Sequence, residues 1–303
     1  MTQMPNASFY QTLFRAFLFV AVALSLAMAI LSPTAKQVHH DEYDHINAAR
    51  FYTKHWLPPA IGDPRTLDSY SLYGASYLNE WDVVYLFAGK FAAVVNPFID
   101  NLALSLRLFN VSLFLLLACL ALLARSLVLC YAVLLTSPQI WYTFGYFNGD
   151  SFPLFVSFLI VAIVATPEDT LPQGSRRPLG RYLLLGICVG LLVLSKKTFW
   201  MFGLFTVGLV AWLEFCRWRR EQDRGGFVRN MGVLAVMIVA IAVPRIAYDV
   251  YINGTPAQKG AKLVEIGESL AAPIFKPSKS LKSSLKLREK GVGLFDMIDA
   301  IPH

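Results

Sequence analysis

The chain opens with an apolar run at residues 13–31 and then changes character. Residues 32–105 are largely polar and aromatic. Apolar runs then recur at 107–124, 126–142, 152–165, 182–194, 199–215 and 231–247. About 20 apolar residues in a helix cross the hydrocarbon core of a bilayer. The pattern therefore predicts an all-α fold, a polytopic transmembrane helical bundle of about seven spans, in which the shorter runs borrow flanking residues. One run fits poorly. Residues 81–95 are apolar but short, contain Asp82 and Lys90, and stop at Asn96-Pro97. Such a run suits an amphipathic helix lying at the membrane interface better than a span.

Charge sets the direction of the bundle. If 81–95 does not cross, Arg125, Arg176, Arg177, Arg181, Arg217, Arg219, Arg220, Arg224 and Arg229 all fall on the side of the N-terminus. Arginine collects in short cytoplasmic loops, so that side is expected to be cytoplasmic. The outer side then holds the first loop (32–105), the turn at Asn148-Gly149-Asp150, the turn at Lys196-Lys197, and everything after Arg245. On this reading residues 1–247 form the transmembrane domain and 248–303 an extracytoplasmic C-terminal segment. The same distribution explains the net charge of +7 as topology, and no nucleic-acid partner is expected. Only 16% of the residues are charged, against about 25% in soluble domains. Cys119, Cys130, Cys188 and Cys216 lie in or beside apolar runs and read as small core residues. The first run is too long for a typical signal core and ends without a small-residue cleavage pattern, so it reads as a retained helix.

The unusual polar residues begin at His39-His40-Asp41-Glu42-Tyr43-Asp44-His45. Ionisable groups beside a span are costly to place in lipid and often mark a functional site. Residues 41–56 predict a short helix stopped by Pro58-Pro59, with Asp41, His45, Ala48, Tyr52 and Trp56 on one face. An acid and a histidine one turn apart could take a proton from an acceptor hydroxyl or hold a cation. The plain alternative is a hydrated helix start whose acids answer the helix dipole. Asp150 is either a second carboxylate at the site, for example a metal ligand, or part of a cap for the next helix. Lys196 and Lys197 either snorkel to the headgroups or bind a phosphate as point charges. Arg245, after Pro244, is a further candidate for the phosphate. The histidine spacing is not that of a zinc protease helix.

The order of these motifs resembles the GT-C superfamily of integral-membrane glycosyltransferases. The resemblance rests on Asp41-Glu42 with His45 after the first helix, Arg107-Leu108-Phe109-Asn110 at the second, the Asn148-Gly149-Asp150 turn, and Leu185-Gly186-Ile187-Cys188-Val189-Gly190 leading to Ser195-Lys196. It covers about residues 10–255 and implies a lipid-linked sugar donor, usually a polyprenyl phosphate or pyrophosphate. It also implies transfer at the outer face of a bacterial cytoplasmic membrane to a glycan, lipid or protein acceptor. On that resemblance Asp41 and Glu42 are the catalytic acids, Asp41 the base or acceptor-positioning group and Glu42 its support. Lys196, Lys197 and Arg245 would hold the donor phosphate. Some members use a divalent metal such as magnesium or manganese, and Asp41, Asp150 and His45 are the expected ligands. Members of the superfamily carry further helices and often an outer soluble domain, so the chain reads as a truncated or shortened member. The competing expectations are a transporter or flippase of lipid-linked glycans and a non-catalytic membrane partner.

Overall fold

The computed structural model describes residues 7–33, 39, 41–123, 137–165 and 179–279. Among them every regular element is a helix. In chain order these are α1 (Ala7–Leu31), α2 (Glu42–Lys54), α3 (Val84–Ile99), α4 (Leu102–Leu123), α5 (Pro138–Gly145), α6 (Ser151–Ala165), α7 (Leu179–Val193), α8 (Trp200–Glu221), α9 (Arg224–Asn253) and α10 (Pro256–Leu270). Four of the described helices, within α1, α4, α8 and α9, are long and apolar enough to cross a membrane, while α3, α6 and α7 are shorter apolar helices. The fold is thus the expected all-α bundle of membrane type. The run expected at 126–142 falls largely outside the described residues, as do Arg125, Arg176 and Arg177. Its far end is α5.

The bundle has two chemically distinct ends. At one, α6 and α7 meet where Arg181 donates to the Val164 carbonyl. There α8 closes with Arg217, Arg219 and Arg220, and α9 opens after Asp223, whose side chain caps the Gly226 N–H. A buried network sits just inside this arginine end. Tyr182 donates to Glu214 at 2.7 Å and Asn230 to its other oxygen at 2.9 Å. The opposite end is built of loops, and it gathers the end of α1, the first loop, the 146–150 turn, the 194–199 turn and the region after Arg245.

The pattern at 81–95 resolves here. Tyr85, at the start of α3, bonds to His45, and near its end Asn96 accepts from Ser105 of α4. Two residues further, Arg107 is already bonded to the carbonyl groups that end α1. Both ends of α3 therefore stay at the loop end, and the helix lies across the bundle rather than through it. Gly89 makes the fit, because a Cβ there would sit 2.6 Å from the Ala49 carbonyl and 2.7 Å from Tyr52 Cβ. Lys90 lies over the Trp56 ring at 4.1 Å, where a cation gains from the ring quadrupole.

Two expectations change at the C-terminal side. The last span does not stop near 247. α9 continues through Pro244 to Asn253, because its final turns have partners. Arg245, Asp249 and Asn253, spaced by four on one face, bind the Glu80 carbonyl, the Trp81 indole and the Ile61 N–H. The segment after it, given no secondary structure above, holds a further helix. Thr255 and Gln258 form a reciprocal capping box that starts α10, satisfying two of the orphan donors at a helix start. α10 then packs on the first loop where Gly267 meets Gly74, and the Ala272 N–H donates to the Leu72 carbonyl.

Candidate functional site

Three loops converge at the loop end, each fixed by backbone bonding. The Val83 N–H donates to the Leu194 carbonyl at 2.9 Å, tying the first loop to the end of α7. In the 146–150 turn, Asn148 Oδ1 accepts from the N–H groups of Asp150 and Ser151 at 2.8 and 3.1 Å. Asn148 thus caps α6, and the Asp150 carboxylate is left to pair with Lys196 at 2.8 Å. Lys197 pairs with Glu80 at 3.0 Å, and Arg245 donates to the carbonyl of the same Glu80 at 2.8 Å. Between these loops lies a cavity of about 260 Å³, walled by Tyr77, Glu80, Trp81, Asp82, Lys196 and Trp200 among others. The Trp81 and Trp200 rings stack with centroids 6.1 Å apart, and the Trp81 indole is held by Asp249 at 3.0 Å.

Asp82 is the carboxyl built into this cavity, and sequence reasoning passed over it as a charge interrupting an apolar run. It is 7% exposed. One oxygen accepts the Val84 N–H at 3.1 Å and so starts α3. The other faces Gly149, 3.4 Å from where a Cβ would stand. Burial pushes its pKa up to about 7, against the Val84 N–H and Lys196, which pull it down, and with Asp150 and Glu80, which push it further. A carboxyl tuned to neutral pH in a cleft beside a lysine is a marker of functional sites. Its only signal in the sequence was its position, an acid two residues before an apolar helix.

Asp41 and His45 lie behind the wall of the cavity. Asp41 stands at the N-cap of α2 in a left-handed conformation with φ 58° and makes no side-chain cap. Tyr77, which lines the cavity, donates to Asp41 at 3.4 Å and stacks on the His45 ring at 4.1 Å. Burial first, and then Asp41, push the Tyr77 phenol well above its ordinary pKa. His45 is itself buried, with Nδ1 2.7 Å from the Tyr85 hydroxyl. Gly149 leaves room for this arrangement, because a Cβ would stand 2.9 Å from that hydroxyl. His39 is buried, stacked on Tyr146 and 3.2 Å from the Tyr142 hydroxyl. Burial lowers its pKa. His40 lies outside the described residues.

The expected metal set does not form. Asp41, Asp150 and His45 do not make a ligand set, and Asp150 pairs with Lys196 while His45 Nδ1 bonds to Tyr85. Among the described residues no three His, Cys, Asp or Glu side chains come together as a metal-ligand group.

Glu42 stands apart from the cavity. Its carboxylate is 3% exposed and grips Arg107 through two bonds of 2.8 and 2.6 Å, while the Phe147 N–H donates to it at 2.8 Å. Arg107 in turn donates to the Ala29, Ser32 and Pro33 carbonyls. This buried pair fastens α1, α2, α4 and the 146–150 turn together. Expected as a support for Asp41, Glu42 is enclosed away from the cavity, because α2 is packed on several sides and Glu42 lies off the face of Asp41. Arg245 likewise touches the site through the Glu80 backbone rather than by lining the cavity. Lys196 and Lys197 do line it, as expected.

No curated relative and no solved structure matches the chain. A family model described as predicted membrane protein (DUF2142) matches residues 67–274, a span that holds Tyr77, Asp82, Asp150, Lys196, Lys197 and Arg245 and begins after Asp41. With more than half of its length inside that model, the chain belongs to this family of membrane proteins.

Proposed function

We propose that the chain is a glycosyltransferase of the bacterial cytoplasmic membrane that moves a sugar from a polyprenyl-linked donor to a glycan, lipid or protein acceptor. The observation that carries the reading is the cavity at the loop end, where Lys196 and Lys197 face acids within one small space. Both ammonium groups are paired with carboxylates, Asp150 and Glu80. A donor phosphate would replace those carboxylates and meet two point charges whose attraction grows as the phosphate leaves. Arg245 holds the Glu80 backbone and so fixes the floor of that subsite. Asp41 orients the acceptor side through Tyr77. The arginine end would face the cytoplasm and the cavity the outer surface. No step is assigned to a metal ion, since the residues expected to hold one do not fit it.

The polar cluster sits at one end of the bundle rather than at mid-depth. That favours transfer over transport, because transporter sites lie near the bilayer midplane at broken helices. The direct test is sugar transfer from radiolabelled polyprenyl-phosphate sugars in membranes holding the chain. Wild-type membranes should transfer label. Lys196→Ala should raise the KM for the donor about 10-fold or more, equivalent to at least about 1.4 kcal/mol of binding. Asp41→Asn should lower kcat about 100-fold with the protein still inserted. No transfer by wild-type membranes would sink the reading, and full activity in both variants would remove the roles given to Lys196 and Asp41.

A further inference from the structure

Asp82 is not used by any step above, yet it is the buried carboxyl of the cavity itself. The groups around it come from every neighbouring element. Its own loop supplies Glu80, and α3 supplies the Val84 N–H and Tyr85. The α6 turn supplies Gly149 and Asp150, and the α7 turn supplies Lys196. From the far side Tyr52 of α2 feels both Asp82 and Arg245 of α9. Its position is fixed twice, by the Val84 N–H on Oδ1 and by the backbone bond from the next residue, Val83, to Leu194. A base must be held within hydrogen-bond reach of the proton it takes, and rigid support of this kind provides it. Asp41, by contrast, does not line the cavity and bonds to Tyr77, which does.

We propose that Asp82 is the general base of the site, its Oδ2 taking the proton of the acceptor hydroxyl while Lys196 and Lys197 hold the phosphate of the sugar donor. The proposal rests on the glycosyl-transfer reading. In the step, the acceptor oxygen forms a bond to the anomeric carbon and the bond from that carbon to the phosphate oxygen breaks. The electron pair leaves on the lipid phosphate, which the two ammonium groups stabilise. The acceptor proton passes to Asp82 and then to water as product departs. A carboxyl that changes protonation near neutral pH suits this task. Tyr85 and Gly149 are positioning residues, the first bracing His45 and the second leaving the space into which Oδ2 points. Asp41 keeps the acceptor-orienting part.

The test uses the full chain in membranes, with a radiolabelled polyprenyl-phosphate sugar and short-chain alcohols and membrane glycolipids as acceptors. Wild-type kcat/KM should fall on the acid side with an apparent pKa near 7. Asp82→Asn should lose about 100-fold or more in kcat with little change in donor KM. Asp82→Glu should recover part of the rate with a displaced acid limb, which a merely structural role would not produce. Transfer by Asp82→Asn at wild-type rate, or by wild type with no acid limb near neutrality, overturns the assignment and leaves the transferase reading standing. Absence of transfer by wild type overturns both. Should Asp82→Asn fail to insert, the wild-type acid limb and the Asp82→Glu displacement decide the matter.

Discussion

Asp41 and Glu42 are neighbours in the chain and opposites in the fold. Asp41 is left exposed enough to meet Tyr77, whereas Glu42 is sealed against Arg107. Desolvating two charges is expensive, and the pair persists because each group also has backbone partners. Removing one member leaves the other buried and uncompensated, which costs about 3–5 kcal/mol. Glu42→Gln is therefore expected to lower the thermal midpoint of the detergent-solubilised protein sharply. Adding Arg107→Met to that variant should restore part of the loss, because the orphaned charge is gone. An unchanged midpoint in Glu42→Gln would remove the structural role assigned to the pair. Sequence alone could find these two acids but not sort them. Helical spacing places Glu42 off the face of Asp41, and only the packing of α3, α4 and the 146–150 turn around α2 makes that off-face position an interior one. Asp82 was missed for a related reason. An acid inside an apolar run reads as an interruption until the fold shows that it stands at a cavity.

At the scale of elements, the helices were legible because membrane spans leave a coarse and continuous signal. Their contacts were less so. α7 and α9 meet through Gly186 and Gly190, spaced by four as in small-residue membrane packing motifs. A Cβ on Gly186 would stand 2.8 Å from the Leu234 carbonyl, and one on Gly190 would stand 2.8 Å from Ile241 Cβ. The pair sets how closely the two helices approach, and α7 delivers Lys196 while α9 delivers Arg245. Gly190→Leu should thus destabilise the bundle by about 1–3 kcal/mol through overpacking. It should also reduce labelled-sugar transfer, because the 194–199 turn moves with α7. Gly208→Leu, on α8 where nothing lies within 4 Å, is the matched control and should be close to neutral. Equal thermal midpoints for the two variants would refute the close-contact role. The extent of α9 beyond Pro244 was not readable, since Pro in a helix usually argues for an end. Its last turns are held by the first loop, which is distant in sequence.

For the whole molecule, the question is which way the bundle faces, and charge and geometry meet on it. The arginine bias chose a topology in which residues 81–95 do not cross, and α3 has both ends at the loop end. A crossing α3 would have put Arg107 at the end opposite Glu42, yet the two are 2.6 Å apart. Four segments that the charge bias assigned to a single side are thereby joined, with Lys196 to Asp150, Val83 to Leu194 and Arg245 to Glu80 as the links. That side should face outward, because Arg217, Arg219, Arg220, Arg224 and Arg229 crowd the other and arginine is retained in cytoplasmic loops. With Cys119, Cys130, Cys188 and Cys216 replaced by serine, single cysteines can report the direction. Asn101→Cys lies at the exposed junction of α3 and α4, and Arg220→Cys at the exposed end of α8. A membrane-impermeant maleimide added to intact cells, with the outer membrane permeabilised where there is one, should label Asn101→Cys and spare Arg220→Cys until the cells are opened. Labelling of Arg220→Cys alone would invert the bundle and place the cavity in the cytoplasm, where a different, soluble donor would have to be sought. Labelling of both from outside would mean that the helices between them cross an even number of times, against the topology argued from charge.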